Sequence, residues 1–190
     1  MSDLIKKKRF QAVVLPHLNS AFNLACWLTH NRQDAEDVVQ EAYLRAFRFF
    51  DGFHGEDGRA WLLTIVRNTF YNWHQDNRKQ HQETPFDEDL HQTAAGDAIG
   101  QAAADNDPQA LLIRKDSEQQ LQRALQVLPL EFREVMVMRE LEELSYKQIA
   151  AIVGIPIGTV MSRLGRGRKL LATILAPAIA TPTTPSKQER

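Results

Sequence analysis

Apolar residues follow the spacing of an α-helix in two blocks of this chain, residues 11–78 and 121–175, and the stretch between the blocks lacks that spacing. Helices place apolar side chains three or four residues apart, whereas half-buried strands alternate them. Neither block shows the alternation of a strand. The pattern therefore predicts an all-α fold of two small helical domains, residues 10–80 and 116–175, joined by a linker.

The composition suits a globular chain of this size. Its 190 residues are 43% hydrophobic and 25% charged, as in ordinary globular domains. No apolar run approaches the roughly 20 residues that span a bilayer, and the charged start of the chain lacks the apolar segment of a secretory signal. The single cysteine, Cys26, excludes an internal disulfide and multi-cysteine zinc sites. We therefore expect a cytoplasmic protein without membrane insertion.

Charge is distributed unevenly along the chain. Lys and Arg number 11 against 9 Asp and Glu in residues 1–80, 2 against 9 in residues 81–118, and 10 against 6 in residues 119–190. Residues 81–115 are also poor in large apolar side chains, so they are predicted to form a flexible acidic linker. The Pro- and Thr-rich residues 176–190 are predicted to be a disordered tail. Basic ends on either side of an acidic stretch favour nucleic acid as a partner.

The C-terminal block carries the signature of a helix-turn-helix. Ser145 and Gln148 form a predicted capping box, Gly154 lies in the following turn, and a second helix begins near Ile157. The face of that second helix left over from its apolar stripe carries hydrogen-bond donors, which suit a DNA major groove. These residues are Thr159, Ser162, Arg163, Arg166 and Lys169. An ordinary helical hairpin with a basic solvated face is the alternative.

Two glycines interrupt that second helix. Gly165 and Gly167 each cost about 1 kcal/mol relative to alanine in a helix interior. A close approach to the DNA backbone is one reason for glycine at these positions.

The N-terminal block contains three apolar stripes, at residues 13–28, 38–50 and 61–73. Asp51 to Gly58 holds three glycines in eight residues and is predicted to be a loop that could cup an unstacked base. The third helix mixes aromatic side chains with donors, a combination that binds single-stranded nucleic acid. Its aromatic stripe of Trp61, Phe70 and Trp73 fits a core better than a stacking platform. The contact candidates off that stripe are Asn68, Tyr71, Asn72, Arg78 and Lys79.

The second helix has a polar face opposite its buried one. Asp37, Gln40, Glu41 and Arg45 share this face. A solvated surface is the simpler interpretation, and docking on a partner helix is the other.

Four motifs in this order resemble bacterial sigma factors of the extracytoplasmic-function type, which keep the second and fourth sigma regions. They are DAEDVVQEAYLRA at 34–46, RAWLLTIVRNT at 59–69, LPLEFREV at 128–135, and residues 145–168. The resemblance covers residues 10–80 and 116–175. It implies a transcription initiation factor that binds core RNA polymerase, recognises the −10 and −35 promoter elements and promotes DNA opening.

The resemblance also implies roles for particular residues. The family's polymerase-docking helix falls on Asp37, Gln40, Glu41 and Arg45. Its promoter-melting segment falls on the loop from Phe53 to Arg59, including His54, and on Asn68, Tyr71 and Asn72. Its −35 reader falls on Met161, Ser162, Arg163, Gly165 and Arg166. Met161 and Gly165 depart from the polar or bulky residues often found there. An anti-sigma factor is the regulatory partner that the family implies.

Other functions explain less of the sequence. A stand-alone helix-turn-helix regulator leaves the pattern of residues 34–80 unexplained, and a sigma-like decoy for an anti-sigma factor does not need the intact basic helix. Cys26 and His30 are four residues apart, but two ligands are too few for a metal site, and Cys26 lies on an apolar stripe. No P-loop is present. We expect neither an enzyme nor a metal or other cofactor.

Overall fold

A computed structural model describes residues 3–55, 57–83 and 119–179, and all regular structure within them is helical. The N-terminal half contains α1 (Asp3–Val14), α2 (Leu18–Thr29), α3 (Arg32–Phe49) and α4 (Gly58–Glu83). The C-terminal half contains α5 (119–126), α6 (Leu130–Met136), α7 (Tyr146–Val153) and α8 (Ile157–Ile179). The predicted all-α class with a C-terminal helix-turn-helix is confirmed.

Proline and asparagine set the helix boundaries in the N-terminal half. The stripe at residues 13–28 is not one helix as predicted, because Pro16 lies in a 3-10 turn (Leu15–His17) that separates α1 from α2. The Asn31 side chain caps α3 by accepting hydrogen bonds from the backbone amides of Gln33 (2.8 Å) and Asp34 (3.3 Å). Each boundary turns the chain so that α2, α3 and α4 pack against one another.

An aromatic cluster joins α1 to the loop before α4. The ring of Phe10 makes edge contacts with Phe50 at 5.3 Å, and Phe53 lies 4.8 Å from Trp61 between ring centroids. Phe50 is buried, whereas its neighbour Phe49, which was predicted to be buried as well, is exposed. Adjacent positions on a helix point about 100° apart, and at this end of α3 only Phe50 faces the core.

The helix-turn-helix is built as the sequence predicts. Ser145 accepts a hydrogen bond from the Gln148 amide, and the Gln148 side chain accepts one from the Ser145 amide, which forms the capping box. Gly154 ends α7 with φ +75°, a conformation that favours glycine. The axes of α7 and α8 meet at a bend of 101°.

Gly167 allows α8 to pack closely on α6. A Cβ atom at this position would lie 3.0 Å from Met136 Sδ and 3.3 Å from Phe132 Cβ, whereas one at Gly165 would meet nothing within 4 Å. Gly167 therefore serves helix packing, and the hypothesis that it faces the DNA backbone is not supported for this residue. Gly165 lies on the exposed side of α8.

Some predicted segments differ from the structure in extent. α4 continues to Glu83, into the predicted linker, and α8 continues to Ile179, into the predicted tail. The remainder of the linker, residues 84–115, and of the tail, residues 180–190, lies outside the described residues, as do residues 116–118 of the predicted second domain.

Within the residues that the structure describes, no single helix is long and apolar enough to cross a membrane. α7 together with residues 157–176 meets the length and composition criterion only as a sharply bent pair.

Candidate functional sites

One face of α3 presents the predicted docking residues to solvent. Asp37, Gln40 and Glu41 are exposed, and Arg45 is half-buried, with its Nε 2.7 Å from Glu41 Oε1. The opposite face packs on α2 and α4. The structure therefore brings these four side chains together on one accessible surface.

An open apolar groove borders this face. Gln40 is part of its lining, which otherwise consists largely of apolar side chains from α2 and α3. The apolar residues of the lining are Leu18, Phe22, Val39, Tyr43 and Leu44. Leu44 is 59% exposed, and sequence reasoning missed it, although a leucine on the polar side of an amphipathic helix is a detectable signal. A polar face next to an apolar groove is suited to binding a helix of another protein.

The glycine-containing loop is anchored through Phe53. The Phe53 side chain is only 6% exposed, and the Phe53 carbonyl accepts a hydrogen bond from Arg9 Nη2 at 3.1 Å. Its ring belongs to the aromatic cluster, so it holds the loop in place and is not available for stacking on a base in this arrangement. His54, the next residue, is exposed.

Asp57 directly precedes α4 and links the loop to the helix-turn-helix. Its Oδ1 accepts a hydrogen bond from the Ala60 amide (2.9 Å), and its Oδ2 accepts one from Gln148 Nε2 (2.7 Å). These hydrogen bonds lower the pKa of the Asp57 carboxyl group. The carboxylate therefore stabilises the start of the helix that carries the candidate base contacts.

Three candidate residues on α4 form an accessible row. Asn68, Asn72 and Lys79 are exposed and lie within about 40° of one another around the helix axis, at 100° per residue. Arg78 is also exposed, one residue to the side of Lys79. Amide and cationic side chains in such a row can hydrogen-bond to bases and neutralise phosphates.

Tyr71 and Arg59, by contrast, have partners in the C-terminal half. The Tyr71 hydroxyl donates a hydrogen bond to Glu134 Oε2 at 3.0 Å, and burial raises the pKa of Tyr71 to about 12. Arg59 is ion-paired with Glu142 and hydrogen-bonded to Ser20. Both were predicted to face DNA, and both lie at the contact between the two halves.

The recognition face of α8 is largely open. Ser162, Gly165, Arg166 and Lys169 are exposed and Met161 is 55% exposed. Thr159 is half-buried, and its carbonyl accepts a hydrogen bond from the Ser162 hydroxyl at 2.9 Å. An accessible row of one thioether, one hydroxyl and two cations can contact base edges and phosphates in a major groove.

Arg163 is the exception on α8. It is half-buried, with Nη2 3.2 Å from Glu131 Oε2 and Nη1 3.4 Å from Glu134 Oε1. Its guanidinium points toward α6 and is engaged by carboxylates.

Sequence reasoning missed the two buried carboxylates that bind Tyr71, Arg163 and Arg59. Glu134 is 1% exposed and Glu142 is 3% exposed. Glu134 lies in a run of buried residues from Arg133 to Met138, so a charged residue inside an apolar stripe was the available signal. Glu142 is positioned by a π-helical turn (Val137–Leu141), in which its amide donates to the Val137 carbonyl at 3.1 Å.

Burial shifts the pKa values of Cys26 and His30 in opposite directions. Burial raises the pKa of the Cys26 thiol, while burial and the nearby Arg133 charge lower the pKa of His30 to about 4. Among the described residues, no group of three or more His, Cys, Asp or Glu side chains is arranged to hold a metal ion.

The two halves match two models of the sigma-70 family. Residues 13–80 match sigma-70 region 2, and residues 118–171 match sigma-70 region 4. The candidate residues on α3 and α4 all lie in the first match, and those on α8 all lie in the second.

Characterised proteins similar to the chain carry the same assignment. The chain is 32% identical to the RNA polymerase sigma-H factor of Pseudomonas aeruginosa over 91% of its own length and 89% of that protein. It is 33% identical to the ECF RNA polymerase sigma-E factor of Escherichia coli over 77% of its length and 76% of that protein.

Solved structures with a similar fold come from protein complexes. One is the sigma factor RpoE with the anti-sigma factor NepR from Bartonella quintana, at a TM-score of 0.69 and 28% identity, covering 93% of this chain and 98% of that one. CnrH in complex with the cytosolic domain of CnrY has a similar fold at a TM-score of 0.58 and 23% identity, over 90% of both chains.

Proposed function

Because this chain belongs to the extracytoplasmic-function sigma factors and is an alternative sigma factor for transcription initiation, we propose that its two halves divide the work of promoter recognition. The C-terminal half recognises the −35 element as duplex DNA, and the N-terminal half docks on core RNA polymerase and holds the separated strands of the −10 element. The observation that carries this proposal is that α3 and α8, in the two family-matched halves, each present an accessible face of the chemistry required. Such a protein works where polymerase and chromosome are, in the cytoplasm.

Docking on core polymerase is assigned to α3. Its exposed carboxylates and Gln40 offer polar contacts, and the adjacent groove offers apolar area, which together suit a helical partner. The apolar part would supply most of the affinity, and the charged part would supply orientation.

Strand capture is assigned to the exposed row on α4 together with His54. Extruding a base from the duplex costs a few kcal/mol, which contacts to the unpaired base and its phosphates would offset. We assign the exposed Asn68 and Asn72 to the base, and the exposed Arg78 and Lys79 to the phosphates. Because Phe53 is packed in the aromatic cluster, we assign it to supporting the loop and not to contacting DNA.

Readout of the −35 element is assigned to α8. Arg166 and Ser162 can hydrogen-bond to base edges, Met161 can contact a thymine methyl group, and Lys169 can bind a phosphate. An anti-sigma factor is proposed as a further partner, since the sigma factor RpoE has been solved in complex with one.

In vitro transcription with core polymerase and a library of genomic fragments tests this function. We expect promoter-specific transcripts only when the protein is added to core polymerase. Arg166→Ala is expected to lower specific transcription by about 5- to 150-fold, because one good base contact provides about 1–3 kcal/mol of discrimination, while leaving core binding unchanged.

Gln40→Ala provides the complementary test on the other half. It is expected to weaken core binding, measured by titration of labelled protein with core polymerase, without changing which promoters are selected. Equal core affinity for the Gln40 variant and the wild type would contradict the docking assignment, and an absence of promoter-specific transcripts would overturn the function itself.

A further inference from the structure

Two buried glutamates from the C-terminal half hold several of the side chains expected to contact DNA. Glu134 on α6 is ion-paired with Arg67 on α4, with Nε–Oε2 at 2.9 Å and Nη2–Oε1 at 3.3 Å. The same carboxylate accepts hydrogen bonds from the Tyr71 hydroxyl at 3.0 Å and from Arg163 Nη1 at 3.4 Å. One carboxylate thus engages donors from both DNA-facing helices, α4 and α8.

Glu142 makes a second connection of the same kind. It is ion-paired with Arg59 at the start of α4 and accepts a hydrogen bond from Asn23 Nδ2 at 3.3 Å. The hydrogen bond between Gln148 and Asp57 lies at the same contact between halves. The contact between the two halves therefore includes the start of α4, next to the glycine-containing loop, as well as the middle of the helix.

The chemistry of these contacts is that of phosphate recognition. Guanidinium groups bind a carboxylate and a phosphate through the same pair of parallel N–H donors. Arg67 donates from Nε and from one terminal nitrogen, Nη2, to the two oxygens of Glu134, and this is the pair of donors that a phosphate could also accept from. Arg67 precedes the exposed Asn68 by one residue, at the edge of the proposed strand-binding row.

We propose that the closed arrangement masks the DNA-binding surface, with Glu134 in the place of a backbone phosphate, and that Arg67 is a further DNA contact that becomes available when the halves separate. This inference rests on the proposed function, because it assumes that α4 and α8 bind DNA. Binding to polymerase, which must place the halves on separate promoter elements, would open the contact and free Arg67, Tyr71 and Arg163 together.

Burial of Glu134 and Glu142 explains why the contact between the two halves can open. A buried ion pair offsets the cost of removing two charges from water only while its geometry is complete. Once the halves separate, Glu134 and Glu142 regain water and the arginines can bind phosphate instead. The closed and DNA-bound states therefore compete for the same donors.

The test compares DNA binding by the full-length free protein. Fluorescence anisotropy with a labelled single-stranded 20-mer measures affinity without knowledge of the promoter, since phosphate contacts are independent of sequence. Glu134→Gln keeps the size of the side chain and removes its charge. If the open state is populated at about 1–10% in the wild type, the variant should bind about 10- to 100-fold more tightly. Small-angle X-ray scattering should show a larger radius of gyration for Glu134→Gln than for the wild type.

Two further variants control this experiment. Glu140→Gln makes the same change of net charge at an exposed carboxylate that pairs with Arg168 within the C-terminal half, so we expect less than about a twofold change in DNA affinity. Glu134→Gln combined with Arg67→Gln should lose much of the gain, because Arg67 no longer provides its contact. Circular dichroism verifies that each variant is folded, and Glu142→Gln provides an independent opening variant if Glu134→Gln does not fold.

Unchanged DNA affinity in folded Glu134→Gln and Glu142→Gln would overturn the inference, as would an equal gain in Glu140→Gln. A gain that persists fully in the Arg67 double variant would refute the role of Arg67. These outcomes are distinct from failure of the proposed function, which would appear as wild-type protein that does not support promoter-specific transcription with core polymerase.

Discussion

His30 shows how the surroundings of one side chain alter its chemistry. It ends α2 with a left-handed φ of 60°, where its ring is partly buried near the Arg133 guanidinium. Burial and that charge lower the pKa of the imidazole to about 4. Arg133 is itself buried, which lowers its own pKa to about 10. The fold therefore keeps His30 neutral at physiological pH, and proton uptake opposes folding.

The low pKa of His30 should make the stability of the fold depend on pH. Between about pH 6.5 and 4 the unfolded chain binds a proton at His30 and the folded chain does not. The free energy of unfolding should therefore fall with acidification by about 1–2 kcal/mol, which is less than the full shift because water screens the partly exposed ring. His30→Asn, which tolerates the left-handed conformation, should remove most of that dependence. Urea unfolding at pH 7 and pH 4.5 measures it, and the same pH slope in both proteins would contradict the assignment.

At the scale of elements, the close packing of α8 on α6 depends on one glycine. Gly165 and Gly167 lie two residues apart on the same helix, yet only Gly167 faces α6. Both have the same intrinsic cost in a helix. Comparing alanine at the two positions therefore separates packing from helix propensity.

We expect alanine to stabilise the protein at position 165 and not at position 167. Gly165→Ala should raise the free energy of unfolding by about 0.5–1 kcal/mol, since space is open around it. Gly167→Ala should be about 1–3 kcal/mol less stable than Gly165→Ala, because its Cβ presses on Met136 and Phe132. Chemical denaturation measures both, and equal stabilities would mean that α8 does not pack against α6 in this way.

The elements differ in how well the sequence predicts them. The capping box at Ser145 and the turn at Gly154 were predictable, because both depend on residues a few positions apart. The break at Pro16 is also a local signal, but the apolar spacing continues across it and therefore predicts one helix. The burial of Phe53 depends on Trp61 and Phe50 meeting it in three dimensions, which periodicity along one helix does not indicate.

At the scale of the whole molecule, the two halves share buried charges. Arg59 pairs with Glu142 across 83 residues, and Arg67 pairs with Glu134 across 67. A sequence pattern cannot predict such pairs, because any of several arginines could serve each glutamate. The accessible faces of α3 and α8 were predictable for the opposite reason, since each follows from the periodicity of a single helix.

These long-range pairs should be measurable as a coupling energy. Arg59→Ala leaves the Glu142 carboxylate buried with Asn23 as a remaining partner, and we expect a loss of about 2–4 kcal/mol of stability. In a Glu142→Gln background the same substitution should cost at least about 1 kcal/mol less. A double-mutant cycle by urea unfolding measures the difference, and additive effects would show that the pair does not couple the halves.

Opening of promoter DNA is the most direct measure of the central claim that the two halves act together in initiation. Permanganate reactivity of thymines, on a promoter fragment selected by in vitro transcription, reports unpaired bases in the −10 region. The account predicts reactive thymines only when core polymerase and this protein are both present, with strong loss of reactivity in the double variant Asn68→Ala and Asn72→Ala. Duplex DNA that stays unreactive in a complex containing both polymerase and the wild-type protein would contradict it.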